Sequence, residues 1–198
     1  MDRNTINDRG IENRGTGPVE PRAADVPLDP GLRQLNRALH EAVQSMSPQE
    51  WTWHPAEKWC AAEVLEHLYL TYTGTIKGFE RVLQCGKAMA TRSSIKHRVR
   101  CMLVLGFNYL PTGRKSPPTA LPKGLPMEKV QSELATKLAA MDRIISECEE
   151  RFGRDTKILD HPALGPLTGA QWRKFHVIHG RHHEKQLRRL REKQAAGS

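Results

Sequence analysis

His179 and His183 stand one helical turn apart in a run that also holds Trp172, Phe175, His176, His182, Gln186, Leu187 and Leu190. A stripe through 172, 175/176, 179, 183, 186/187 and 190 is the face that should turn inward, and the two histidines lie in its middle. Imidazoles at i and i+4 have Cβ atoms ~5–6 Å apart on one side of a helix, a spacing that suits two ligands of a single metal ion. The same pair also suits two histidines satisfied by hydrogen bonds in a core or on a surface. A third ligand from another helix would separate the two readings. His67, within Glu66-His67-Leu68, is the candidate. It lies beside an apolar stripe, follows Cys60 and Val64 on one face, and precedes Thr71, Gly74 and Gly78, small residues that let a neighbouring helix come close.

The elements that must position these residues read as helices. Residues 1–30 are rich in Asn, Asp, Arg, Gly and Pro and poor in large apolar side chains, the composition of a disordered tail. From Gly31 the pattern becomes a helical stripe of Leu32, Leu35, Leu39, Ala42, Val43 and Met46, with Asp29-Pro30 as cap and first-turn proline. A linker from Ser47 to Trp59 leads to a second helix over about Cys60 to Met89, on Val64, Leu65, Leu68, Tyr72, Ile76, Phe79, Val82 and Leu83. A short basic helix follows over about Ser94 to Leu105, in which Lys96, Arg98 and Arg100 alternate with Ile95, Val99, Met102 and Leu103, its basic side expected in water. Residues 106–126 contain five prolines and three glycines, so they form a long irregular loop that could serve as a lid. Pro126 opens a helix closed by Gly153, and Thr168-x-x-Gln171 caps a last helix to about Gln194. No strand-like alternation is visible. The expected class is all-α, four long helices and a short basic one in a domain over residues 31–194.

Two segments of this chain resemble the DinB-like superfamily. Lys58-Trp59-Cys60-Ala61-Ala62-Glu63-Val64-Leu65-Glu66-His67-Leu68 is similar to its pattern of Trp, a small capping residue and a helix whose second turn ends in His-Leu. His161-Pro162-Ala163-Leu164-Gly165-Pro166-Leu167-Thr168, then Gln171-Trp172 and His179-x-x-x-His183-x-x-Gln186, is similar to its closing motif. The resemblance spans about residues 32–190. It implies a four-helix bundle in which His67, His179 and His183 converge on a divalent zinc, nickel or iron ion, in a superfamily that includes transferases and isomerases using low-molecular-weight thiols. One departure is Cys60, which stands where the superfamily usually has the serine of a Ser-x-x-Glu capping box; cysteine caps poorly, and a small buried thiol is the expected role.

Three neutral imidazoles without carboxylate or thiolate would leave the ion its full charge and an open position, the arrangement of catalytic rather than structural sites. His161, His176 and Gln186 are the candidate supporting residues: His161 as a further ligand, a proton carrier or packing for its turn, His176 behind the ligands or in the helix interface, Gln186 orienting a ligand. His182 falls off the inward stripe and is expected to face solvent.

Composition bounds the function. The chain has a net charge of +9, and residues 1–30 hold four arginines against six acids, so the remainder carries +11. That favours anionic partners without choosing among them. Cys60, Cys85, Cys101 and Cys148 are too widely spaced for a Cys-x-x-Cys site and suit reduced thiols. No apolar run reaches the ~18 residues of a membrane span. The expectation is a cytoplasmic metal-dependent transferase or hydrolase acting on a small molecule such as a thiol, with a homodimer as the candidate assembly and without a membrane partner. The alternative is a non-enzymatic nucleic-acid-binding or stress protein with a structural metal site, motivated by Lys87, Arg92, Lys96, Arg98 and Arg100 with no acid between them and by the basic turn Lys185 to Lys193.

Overall fold

The computed structural model describes residues 28–56, 58–110 and 116–197. All but the end of the expected disordered stretch, residues 1–30, lies outside them. Four long helices surround the core: α1 (Pro30–Val43), α3 (Ala61–Cys85), α5 (Met127–Phe152) and α6 (Gly169–Gly197). Between them lie α2 (Pro48–Thr52), α4 (Ile95–Cys101) running into a π turn (Met102–Gly106), a 3-10 turn (Pro118–Ala120), and the strands β1 (Leu159–His161) and β2 (Gly165–Leu167). The chain is mostly helical.

Helix boundaries follow local chemistry. The Asp29 carboxylate accepts from the amides of Gly31 and Leu32, and Pro30 supplies a first-turn φ. The Cys60 amide donates to Glu63 Oε2 at 2.9 Å, so the carboxylate half of the capping box forms at the start of α3. That helix ends at Cys85, capped by Gly86 at φ 69°, four residues before the expected Met89 end. Within the expected linker, Ser47 and Glu50 make a capping box around Pro48, and α2 forms with Trp51 buried beneath it. Five residues are too few to display a stripe.

The stripes meet as expected in one core of Leu32, Leu35, Val64, Leu68, Tyr72, Phe79, Leu138, Met141, Ile145, Leu187 and their neighbours. α3 packs most extensively on α5, and α1 on α6. A buried polar network joins them: Asp142 accepts from the Asp29 amide at 2.7 Å and pairs with Arg173, which also reaches Glu149 at 2.6 Å.

Three features depart from the sequence reading. The connector before α6 contains an antiparallel hairpin, Leu159 opposite Leu167 and His161 opposite Gly165. Its strands are three residues each, shorter than alternation can reveal, and Gly165 at φ 72° permits the turn. Thr71, Gly74 and Gly78 do not admit a helix. A Cβ on Gly74 would meet nothing within 4 Å, and one on Gly78 would meet Leu159 of β1 at 2.7 Å. The close helix approach occurs instead at Gly180 of α6, where a Cβ would lie 2.4 Å from Leu35 of α1. Finally, on α4 the basic side lies in water as expected, with Lys96, Arg98 and Arg100 exposed, but the apolar residues Ile95, Val99, Met102 and Leu103 are exposed too, and Cys101, Val104 and Leu105 face the body.

These two glycines give opposite expectations. Gly180→Ala should cost about 1–3 kcal/mol by crowding fully buried Leu35, whereas Gly74→Ala should add about 0.5–1 kcal/mol of helix propensity. Urea denaturation of both variants checks this, and destabilisation of similar size in both would contradict the packing described.

Candidate metal centre

α3 and α6 carry the three histidines to one buried point. His67 on α3 is 3% exposed, and His179 and His183 on α6 are 8% and 6%. His179 Nε2 lies 3.2 Å from His67 Nε2 and 3.1 Å from His183 Nε2. Two ligands of one ion at ~2.1 Å would sit about 3.0 Å apart at a right angle and about 3.4 Å apart at a tetrahedral one. The separations fall between these limits.

The outward nitrogens fix which atoms face inward. His67 Nδ1 is 2.7 Å from the Ala120 carbonyl, which can only accept, so the ring carries its proton there and presents the Nε2 lone pair. His183 Nδ1 likewise donates to Gln186 Oε1 at 3.0 Å. Only His179 has a proton to offer inside, and it can satisfy one of the two contacts. The other sets two lone pairs against each other, and if that proton is used, His179 Nδ1 has none and remains buried without a partner. A cation between the three nitrogens removes the lone-pair conflict and lets His179 keep its proton on Nδ1, so the residues fit a divalent ion.

Other side chains hold the rings. Phe175 stacks on His179 at 5.3 Å and 11°, and Trp59 leans on His67 at 5.0 Å. The Ala120 carbonyl is positioned by the loop, which α3 grips: the buried Glu66 carboxylate accepts from the amides of Lys123 and Gly124 at 2.6 and 3.0 Å. The described part of residues 106–126 is therefore fastened at the site, which is not how a swinging lid is held. Glu66, Ala120, Trp59 and Phe175 thus belong to the site in addition to the residues the sequence indicates. Glu66 does leave a signal in the sequence, as an acid adjoining His67 next to an apolar stripe; a backbone carbonyl such as that of Ala120 leaves none.

The site opens on a cavity of about 820 Å³, walled by Thr71 and Gly74 on one side and by Phe175, His179 and His183 on another. His161 borders it, but its Nδ1 accepts from the amides of Ala163 and Leu164 at 3.1 and 3.2 Å, and its ring packs on Phe175 at 4.1 Å. That nitrogen is committed to the turn. His176 hydrogen-bonds Thr75 Oγ1 at 3.1 Å and stacks on Trp172, so it belongs to the helix interface. His182 is half-buried against the cavity rather than facing solvent, because the wall of the cavity wraps past the inward stripe. His54, Cys60 and Glu63 also approach one another, but His54 is exposed and Glu63 is engaged by the Cys60 amide.

A family described as a protein of unknown function (DUF1569) matches residues 31–190. The chain belongs to the DUF1569 family. No curated protein and no solved structure matches it. The span assigned to DUF1569 includes His67, His179, His183 and both residues that hold their outer nitrogens, Ala120 and Gln186.

Burial governs protonation in this DUF1569 chain. It lowers His67, drives His183 down to about 3 with help from neighbouring His67, and takes His179 well below the ordinary histidine range, where His183 and His67 add repulsion. His176 falls to about 3 through burial and the nearby His161. The inward lone pairs therefore stay free of protons in mildly acid solution.

Linkage gives a sign to this. The folded, metal-stripped protein resists protons that the unfolded chain takes up near pH 6.5, so stability is full above that pH and falls as pH drops toward about 3. Each such histidine contributes a loss approaching ~1.4 kcal/mol per pH unit. Urea midpoints of metal-stripped protein should fall from about pH 6.5 to about pH 5, and His176→Phe, with one such group fewer, should fall less over that interval. Equal midpoints at both pH values would contradict the assignment of buried neutral imidazoles.

Proposed function

We propose that this protein is a metal-dependent enzyme of the DinB-like superfamily, a four-helix bundle in which His67, His179 and His183 hold a divalent zinc, nickel or iron ion. The reaction is activation of a small thiol for transfer, or of water for hydrolysis. The observation that carries the reading is the convergence of three Nε2 atoms, two of them stripped of any inward proton by Ala120 and Gln186. An ion held by three neutral imidazoles keeps its full charge and lowers toward neutrality the pKa of a thiol or water at its open position.

The chain's own residues have definite tasks in this reading. Ala120 and Gln186 orient the ligand rings, and such supporting partners typically alter metal affinity 10–100-fold when removed. Phe175 and Trp59 cover the rings and keep bulk water from them. The cavity offers room for a small molecule, and Lys58 and Arg100 on its wall give it a positive border suited to an anionic group on the substrate. An adjoining cavity of this size favours a working site over a closed structural one.

Elemental analysis of protein purified without added metal tests the reading, followed by thiol-transfer and hydrolase screens on the loaded protein. Near-stoichiometric divalent metal is expected. His179→Ala and His183→Ala should lose it while remaining folded by circular dichroism, His182→Ala should retain it, and Gln186→Leu should weaken binding by about tenfold or more. Because burial keeps the ligands neutral, release by acid should come below pH 6.5. Stoichiometric metal in folded His183→Ala would end the proposal, as would equal losses in the 182 and 183 variants.

A further inference from the structure

The outer face of α4 and the π turn carries apolar side chains where a solvated helix would carry polar ones. Ile95 is 80% exposed, Met102 55%, and beyond the turn Phe107 70% and Tyr109 58%. Residues 95, 99, 102 and 103 make one stripe at helical spacing, and the opposite side is committed inward through Val104, Leu105 and the Cys101 thiol, which donates to the Leu164 carbonyl. At about 100° per residue, Lys96 and Arg100 flank the ridge on one side and Arg98 on the other. All three are exposed. No Asp or Glu stands in the sequence between Glu80 and Glu128.

An exposed apolar ridge between two cationic flanks constrains what can cover it. A nucleic acid would pair with the cations and leave Ile95 and Phe107 in water. A second copy docked on the same face would bring like charges together with no acid in the segment to offset them. A bilayer containing anionic lipid answers both features, taking the ridge into the acyl boundary and the cations at the headgroups. We propose that the α4 face from Ile95 to Tyr109 is a docking surface for anionic phospholipid membranes. A helix lying in the interface needs no spanning stretch; no helix of the described residues is long and apolar enough to span, and the expectation of no membrane partner rested on that criterion alone. The same helix supplies Arg100, and the π turn Val104, to the wall of the histidine cavity, so the docked face borders the cavity. This proposal does not depend on the metal.

Sedimentation of the full chain with vesicles of equal parts phosphatidylglycerol and phosphatidylcholine, against vesicles of phosphatidylcholine alone, tests it. The protein should sediment with the mixed vesicles at low salt and partition at least tenfold less onto neutral ones. Ile95→Ser/Phe107→Ser should lower partitioning tenfold or more, and so should Lys96→Glu/Arg98→Glu, since each basic residue contributes roughly fivefold near an anionic surface. All four positions are exposed, so the variants should keep the circular dichroism of the parent. Partitioning indifferent to phosphatidylglycerol, no sedimentation with either vesicle, or full binding by Ile95→Ser/Phe107→Ser would overturn the proposal. So would a dimer in light scattering that the same two serines dissociate, or binding confined to duplex DNA and unaffected by them.

Discussion

Three imidazole Nε2 atoms held toward one another in a buried space, two of them as bare lone pairs, are unfavourable unless a cation lies among them, and much of the chain is arranged to keep them there. His67 cannot turn its Nε2 away without surrendering its bond to Ala120, nor His183 without surrendering Gln186. Ala120 is in place because Glu66 grips the loop three and four residues later, and His179 because Phe175 stacks on it. Burial then withholds the protons that would otherwise relieve the repulsion. The site is thus preorganised by groups outside the three histidines themselves.

The same helix serves both site and core, which explains the mixed character of α6. Its Trp172, Leu187 and Leu190 are core, its Gly180 admits α1, and its His179 and His183 face the cavity. Arg173 fixes its first turns through Asp142 and Glu149, joining α6 to α5 and to the start of α1. A shift of α6 would therefore disturb core, ion-pair network and ligand geometry together.

Much of this was legible in the sequence because long stripes at helical spacing leave little choice of burial: the four long helices, the Asp29 and Gly153 boundaries, the His179–His183 pair and the support from Gln186 all follow from side-chain type and position. What was not legible depends on contacts distant in sequence or on segments too short to show a period. The α2 turn, the hairpin at Gly165 and the Ala120 carbonyl are of that kind. The α4 stripe is visible in the sequence but its exposure is not, because periodicity marks an apolar face without saying whether protein covers it. The small residues Thr71, Gly74 and Gly78 do leave room beside α3, but a cavity and β1 occupy it rather than a helix.

X-ray absorption at the edge of the metal bound to the full-length protein examines the central claim most directly, since it reports ligand type and number around the ion itself. A shell with three imidazole nitrogens at about 2.0–2.2 Å is expected, completed by light atoms and without sulfur. A sulfur shell near 2.3 Å would instead point to a cysteine ligand such as Cys60, and fewer than three imidazoles would break the His67, His179 and His183 triad; either result would rule out the three-histidine centre.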